Sequence, residues 1–82
     1  MSWSWEYDPD DLADGAPEAF IAQVEEVADE LTRAASALYG DGTAFTGPNP
    51  RGATRTVDGG MFVYLVIPRS ECVYIRQLTP KP

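Results

Sequence analysis

The sequence predicts an α+β domain in which one long amphipathic helix packs on an antiparallel sheet of about four strands. In the first half of the chain, apolar residues recur at the spacing of one helix face, and in the second half strand-forming residues alternate with Gly and Pro turns. A length of 82 residues fits a single domain, residues 1–82. A domain of this size buries only about 60% of the surface that its unfolded chain exposes, so its core must be compact.

The first strand is expected at Ser2–Tyr7, where three aromatic residues occupy every second position: Trp3, Trp5 and Tyr7. Pro9 ends this strand, because proline has no backbone N–H to donate to a sheet. The aromatic row has two interpretations, a platform on which nucleic-acid bases stack and a face turned to the core. We prefer the core, because a row of aromatics beneath a striped helix buries a large apolar area.

A helix is predicted from Pro17 to Tyr39, with the proline in its first turn and Gly40 at its end. The residues expected to form its buried stripe are Phe20, Val24, Val27, Leu31 and Leu38. The opposite face is acidic and is expected to be solvated, with Glu25, Glu26, Asp29 and Glu30. The alternative for this acidic face is a docking surface.

The C-terminal half predicts three strands, preceded by a loop rich in Gly and Pro at Gly40–Gly52. The strands are expected at Ala53–Val57, Met61–Ile67 and Cys72–Leu78, and the last two form a hairpin. The uninterrupted apolar run of Met61–Ile67 is typical of a central strand.

The net charge of -7 is divided unevenly along the chain. Residues 1–50 hold 11 acids and one arginine, whereas residues 51–82 hold two acids and five bases. A nucleic-acid binder needs clustered Lys and Arg to neutralise phosphates. RNA or a ribosome is therefore disfavoured as a partner, and only the C-terminal sheet could offer a basic patch.

Some kinds of site and cellular setting are disfavoured by what the chain lacks. It contains no His, so neither a metal site nor His-based catalysis is expected, and no motif for a cofactor is present. Cys72 is the single cysteine, which excludes an intramolecular disulfide. No signal-peptide pattern and no apolar segment of the ~20 residues that span a membrane are seen, so we expect a cytoplasmic protein.

Three segments resemble the RelE/ParE toxin superfamily: the N-terminal strand that runs into Asp8-Pro9, the helix opened by Pro17-Glu18, and the hairpin from Asp58 to Arg76. The order of a strand, a short helix, a long helix and a three-stranded meander is also similar to that of these toxins. A Tyr-Arg pair commonly opens the strand after the Gly turn in the family, whereas Met61 and Phe62 stand there in this chain. The resemblance is thus to a degenerate member.

The resemblance places candidate binding residues on the C-terminal sheet. Arg76 falls where the family often carries an arginine on its last strand, and Arg55 falls where further basic residues are common. Apart from the resemblance, a short turn can place Tyr64 and Tyr74 opposite each other beside Arg76, and Arg69 adds a cation at the turn. The pair has two interpretations, an aromatic and cationic patch that binds a ligand and an ordinary cross-strand packing pair with Arg76 lying over it, and we prefer the packing pair. RNA cleavage needs an acid, a base and cations around the phosphate, and no catalytic residues are assigned here.

These observations favour a toxin-like component of a toxin–antitoxin pair that acts mainly by binding a protein, either an antitoxin-like chain or a target. Whether the chain is an enzyme is left open. One alternative is a ribosome-dependent mRNA endonuclease of the RelE type. Another is a non-toxin interaction domain that pairs through an edge strand, and a homodimer is also left open.

Overall fold

One helix lies across one face of a four-stranded sheet in the computed structural model, which describes residues 3–42, 46–47 and 52–82. The elements in chain order are β1 at Ser4–Tyr7, α1 at Glu18–Tyr39, β2 at Ala53–Val57, β3 at Gly60–Ile67 and β4 at Cys72–Pro80. The α+β class, the four strands and the long helix are confirmed. Ser2 and part of the predicted loop Gly40–Gly52 lie outside the described residues.

The strands follow the order β1-β4-β3-β2 in the sheet. β3 is antiparallel to both β2 and β4, so it is an interior strand, as predicted. β1 pairs in parallel with β4, with Tyr7 beside Ile75. The prediction of an antiparallel sheet is therefore wrong for β1, and the sheet is mixed. The residue pattern of β1 identifies it as a strand but does not identify its partner, because α1, β2 and β3 lie between β1 and β4 in the chain.

The core lies between α1 and one face of the sheet. Its fully buried members are Phe20, Val24 and Ala28 of the helix, with Phe62 of β3 and Ile75 of β4. The three helix residues are four positions apart, so they form one stripe along α1. The face of the sheet that they cover is called the helix face below.

The predicted stripe is confirmed at its start and wrong at its end. Phe20 and Val24 are buried and Val27 and Leu31 are partly buried, but Leu38 is 74% exposed. Ala35 is the last buried residue of the helix. Beyond Ala35, the N-terminal segment packs on the side of α1 that carries Tyr39. The ring of Trp3 stacks there on the ring of Tyr39, with 6.0 Å between their centroids. Periodicity sets the angle of Leu38 around the helix, but not what lies opposite it.

The other side of the sheet carries a second apolar row. Side chains alternate between faces along a strand, so the buried positions of Phe62 and Ile75 assign the neighbouring positions to the opposite face. We call that side the open face, and its apolar residues on β3 and β4 are Met61, Val63, Leu65, Ile67, Cys72 and Tyr74. In the part of the chain that the structure describes, no helix lies on it.

Truncation of Phe62 tests the core. Phe62→Ala is expected to lower the free energy of unfolding by about 3–5 kcal/mol, because it removes a fully buried ring from the contact between helix and sheet. Leu38→Ala should change it by less than about 0.5 kcal/mol, since that side chain is mostly in water. Urea denaturation of both variants measures the difference, and equal losses would contradict this core.

Candidate functional site

The five predicted binding residues do not converge. Arg55 lies on β2 opposite Phe62, whereas Arg69 lies in the short turn Pro68–Ser70 after β3. Phe62 lies five residues before the end of β3, where the turn with Arg69 begins, and five residues of a strand correspond to about 17 Å. Arg76 lies on β4 between these two ends. The three arginines therefore cannot grip one small group together.

The register of the β3–β4 hairpin separates the two tyrosines. Ile67 lies opposite Cys72 at the turn, so Leu65 lies opposite Tyr74 and Tyr64 lies opposite Ile75. Neighbouring residues of a strand point to opposite faces, and Tyr64 and Tyr74 therefore lie on different faces of the sheet. A one-residue bulge follows beyond Tyr64, because Val63 lies opposite Gln77 and Arg76 is an extra residue in β4. The prediction that the tyrosines face each other is wrong.

The two tyrosines now have different surroundings. Tyr64 shares the helix face with Ile75, and its ring lies 6.1 Å from that of Phe62, at the margin of the core. Tyr74 pairs with Leu65 on the open face. Of the two, only Tyr74 is placed where a partner on the open face would contact it.

Arg76 fastens the edge strand β1 to β4. Its Nη1 lies 2.8 Å from Oδ2 of Asp8, and both side chains are about half exposed. The backbone N–H of Asp8 also donates to the carbonyl of Ile75 at 2.9 Å. A half-exposed ion pair contributes about 0–1 kcal/mol to stability. Arg76 thus already has an acidic partner within the chain.

Two aromatic residues of β1 bond to the acidic face of α1. The indole N–H of Trp5 donates to Asp29 at 2.9 Å, and the hydroxyl of Tyr7 donates to Glu25 at 3.1 Å. Their rings meet edge to face at 5.1 Å. The residue patterns did not predict these bonds. The sequence does contain a signal for them. Aromatic residues two positions apart lie on one face of a strand, and acids four positions apart lie on one face of a helix, so the two rows can meet when the elements pack together.

These hydrogen bonds define how the aromatic row sits between the core and the surface of the helix. The rings of Trp5 and Tyr7 pack against the core cluster and are partly buried, while their polar atoms reach outward to helix carboxylates. Trp3 donates its indole N–H to the carbonyl of Gly40 at 2.8 Å. The three aromatic residues therefore join the N-terminal segment to the helix at three levels between Glu25 and Gly40.

The environment of Tyr7 changes its acidity. Burial first, and then the nearby Glu25 carboxylate, raise the pKa of the Tyr7 phenol above its ordinary value. The negative charge of a phenolate would be poorly solvated and would lie beside a second negative charge. Tyr7 therefore stays neutral and keeps its hydrogen bond throughout the neutral range.

Ionisation of Tyr7 should destabilise the fold at high pH. Its pKa is higher in the folded than in the unfolded chain, so its contribution is complete below the unfolded value of about 10 and is lost as pH rises above it. The thermal midpoint of the parent chain should fall more steeply above about pH 10 than that of Tyr7→Phe. Tyr74→Phe, which leaves the helix contact intact, is the control, and identical slopes for the parent and Tyr7→Phe would contradict the assignment.

Cys72 is a buried thiol on the open face. Burial raises its pKa, the carboxylate of Glu6 raises it further, and hydrogen bonds with Tyr74 and Ser4 act in the opposite sense. A thiol with a raised pKa is mostly protonated near neutrality and is a weak nucleophile. Its packing, rather than its reactivity, is what the structure assigns to it.

Glu71 is a buried carboxylate at the start of β4. Its residue is 3% exposed, and its Oε1 has no hydrogen-bond partner. Its backbone adopts φ of 50°, a left-handed conformation that closes the turn between β3 and β4. Among the described residues, no group of three His, Cys, Asp or Glu side chains is arranged to hold a metal ion.

The open face carries a row of partly exposed apolar side chains. Met61 is 43% exposed there, and Val63, Leu65, Ile67 and Tyr74 are half-buried. Strands that are apolar on both sides usually have both sides covered. The sequence signal was present, since one predicted helix can cover only one side of such a strand. The described residues form no enclosed pocket.

The chain matches no protein-family model, no curated protein and no solved structure. The resemblance to RelE/ParE toxins therefore stays an expectation drawn from residue patterns and element order. Among the described residues, no helix is long and apolar enough to cross a membrane.

Proposed function

We propose that this chain is a protein-binding domain, the toxin-like component of a toxin–antitoxin pair, and that it holds its protein partner on the open face. The observation that carries the proposal is the apolar row of β3 and β4, which the helix leaves uncovered. Apolar surface that stays in water is typical of an interaction site. The proposal places the chain in the cytoplasm, where its single thiol stays reduced.

Polar residues around the apolar row favour a protein over a nucleic acid. β2 adds Thr54 and Thr56 to the open face, and β1 adds Ser4 and Glu6. This arrangement, an apolar centre with a polar margin, is that of a protein interface. A phosphate backbone would need several cations, and Arg55 and Arg69 lie far apart on the sheet.

Arg76 and Tyr74 are the predicted binding residues that this function retains. Tyr74 lies on the open face, and Arg76 lies beside it at the bulge. Arginine and tyrosine are both common at the centres of protein interfaces. The Arg76 guanidinium has more N–H donors than its contact with Asp8 uses, so a partner carboxylate could share it.

Partner binding can be tested with three variants. The chain is co-expressed with the product of the neighbouring gene, and the complex is recovered through a tag on the partner. Leu65→Lys places a charge at the centre of the open face and is expected to weaken the complex at least about tenfold. Leu38→Lys, the same change on the exposed helix end, should leave it unchanged. Met61→Lys is the second open-face variant, chosen because Met61 is already 43% exposed and its replacement should not disturb folding.

The comparison of Leu65→Lys with Leu38→Lys also tests whether the open face is the surface that binds the partner. Circular dichroism must show that each variant is folded. Equal binding by Leu65→Lys and Leu38→Lys would remove the open face from the function, and no complex with the parent chain would remove the toxin–antitoxin assignment.

Enzymatic activity is tested separately. We expect the purified parent chain to leave ribosome-associated mRNA intact, and any growth inhibition in cells to depend on Arg76 more than on the hydroxyl of Tyr74. Arg76→Ala removes a charged contact, whereas Tyr74→Phe keeps the ring that packs. mRNA cleavage by the parent that disappears in Tyr74→Phe would favour the endonuclease instead, because only proton transfer needs that hydroxyl.

A further inference from the structure

We propose that, when no other partner is bound, the open face pairs with the open face of a second copy of this chain. The product is a symmetric dimer in which two sheets pack face to face, with one helix on each outer side. This inference rests on the proposed function only in using the same surface. It adds a second state of that surface, which a protein partner would have to displace.

The chemistry of the open face suits a copy of itself. In a two-fold dimer each surface meets an identical one, so the surface must be complementary to itself. An apolar row meets this condition, because apolar contacts have no sign and no donor or acceptor direction. Val63 and Leu65 lie at the middle of the face, with Thr54 and Gln77 beside Val63 and Tyr74 beside Leu65.

Charge selects this face over the remaining surface. Each chain carries a net charge of -7, so two copies repel one another over most approaches. The acids are concentrated on α1 and on the segment before it, and Glu25, Glu26, Asp29 and Glu30 of α1 are all exposed. Face-to-face packing of the sheets puts the two helices on opposite outer sides. Their acids are then as far apart as a dimer of this shape allows.

Among the described residues, the charges at the open face lie along one margin. Glu6 stands on β1, and the Arg76–Asp8 ion pair lies beside the end of β1, at the bulge in the middle of β4. Along β2, by contrast, the open-face positions are Thr54 and Thr56. The apolar row on β3 therefore runs between a charged margin and a neutral one. Burying the row does not require burying an unpaired charge.

The size of the face suits a weak, reversible dimer. The four strands have nine, eight, five and four residues, which gives a surface of roughly 400 Å² on each chain. The two chains would together bury about 800 Å², which is in the range of weak, transient interfaces. A dimer of this area dissociates on dilution and yields to a stronger partner.

The test measures the mass of the purified parent chain by sedimentation over a range of concentrations, with no other protein present. We expect a monomer at low concentration and a dimer at high concentration. Raising the salt concentration should tighten the dimer, because salt screens the repulsion between two acidic chains and leaves apolar contacts intact. A dimer joined by ion pairs would weaken instead.

Matched variants locate the interface. Leu65→Lys should raise the dissociation constant at least about tenfold, and Met61→Lys, at an already exposed site, should raise it without endangering the fold. Leu38→Lys changes the net charge equally and should not weaken the dimer. A parent chain that stays monomeric at all concentrations, a dimer that weakens with salt, or equal effects of Leu38→Lys and Met61→Lys would overturn the inference.

The outcome is separable from that of the proposed function. A chain that is monomeric alone, yet binds the neighbouring gene product through Leu65, would keep the function and remove self-pairing. A salt-strengthened dimer that binds no such product would keep self-pairing and remove the function.

Discussion

The structure depends on the contact between one helix and one face of a four-stranded sheet. Phe20, Val24 and Ala28 reach Phe62 and Ile75 across this contact, and these five residues form the buried cluster. A single helix can cover only one face, however, while β3 carries apolar side chains on both. The open face follows directly from this imbalance. Stability comes from the covered side, and the capacity to bind is proposed for the other.

The bulge in β4 controls which side chains reach which face. By adding Arg76 to the ladder, it keeps Ile75 and Leu78 both opposite β3 residues of the helix face, namely Tyr64 and Phe62. It also places Arg76 where it can pair with Asp8 at the end of β1. One extra residue thus preserves the core on both sides of the irregularity and supplies an attachment for the edge strand.

Attachment of β1 also gives the acidic helix a structural role. β1 has four residues and touches the sheet only through β4, so side-chain bonds to α1 add to its hold. Glu25 and Asp29 accept hydrogen bonds from Tyr7 and Trp5 while remaining exposed to solvent. The acids of α1 therefore do more than keep the chain in solution. They also keep negative charge on the side of the molecule away from the open face.

The sequence by itself determined the class of fold, the bounds of α1 within one residue at its start, and all four strands, because apolar period and turn residues act locally. It also identified Phe20 and Val24 as core. Only the tertiary structure decided that β1 runs parallel to β4, that Leu38 lies in water, and that Tyr64 and Tyr74 part to opposite faces. Each of these depends on residues far apart in the chain. Local patterns specify a strand or a helix, but neither its neighbour in the sheet nor its register, and the proposed binding surface depends on both.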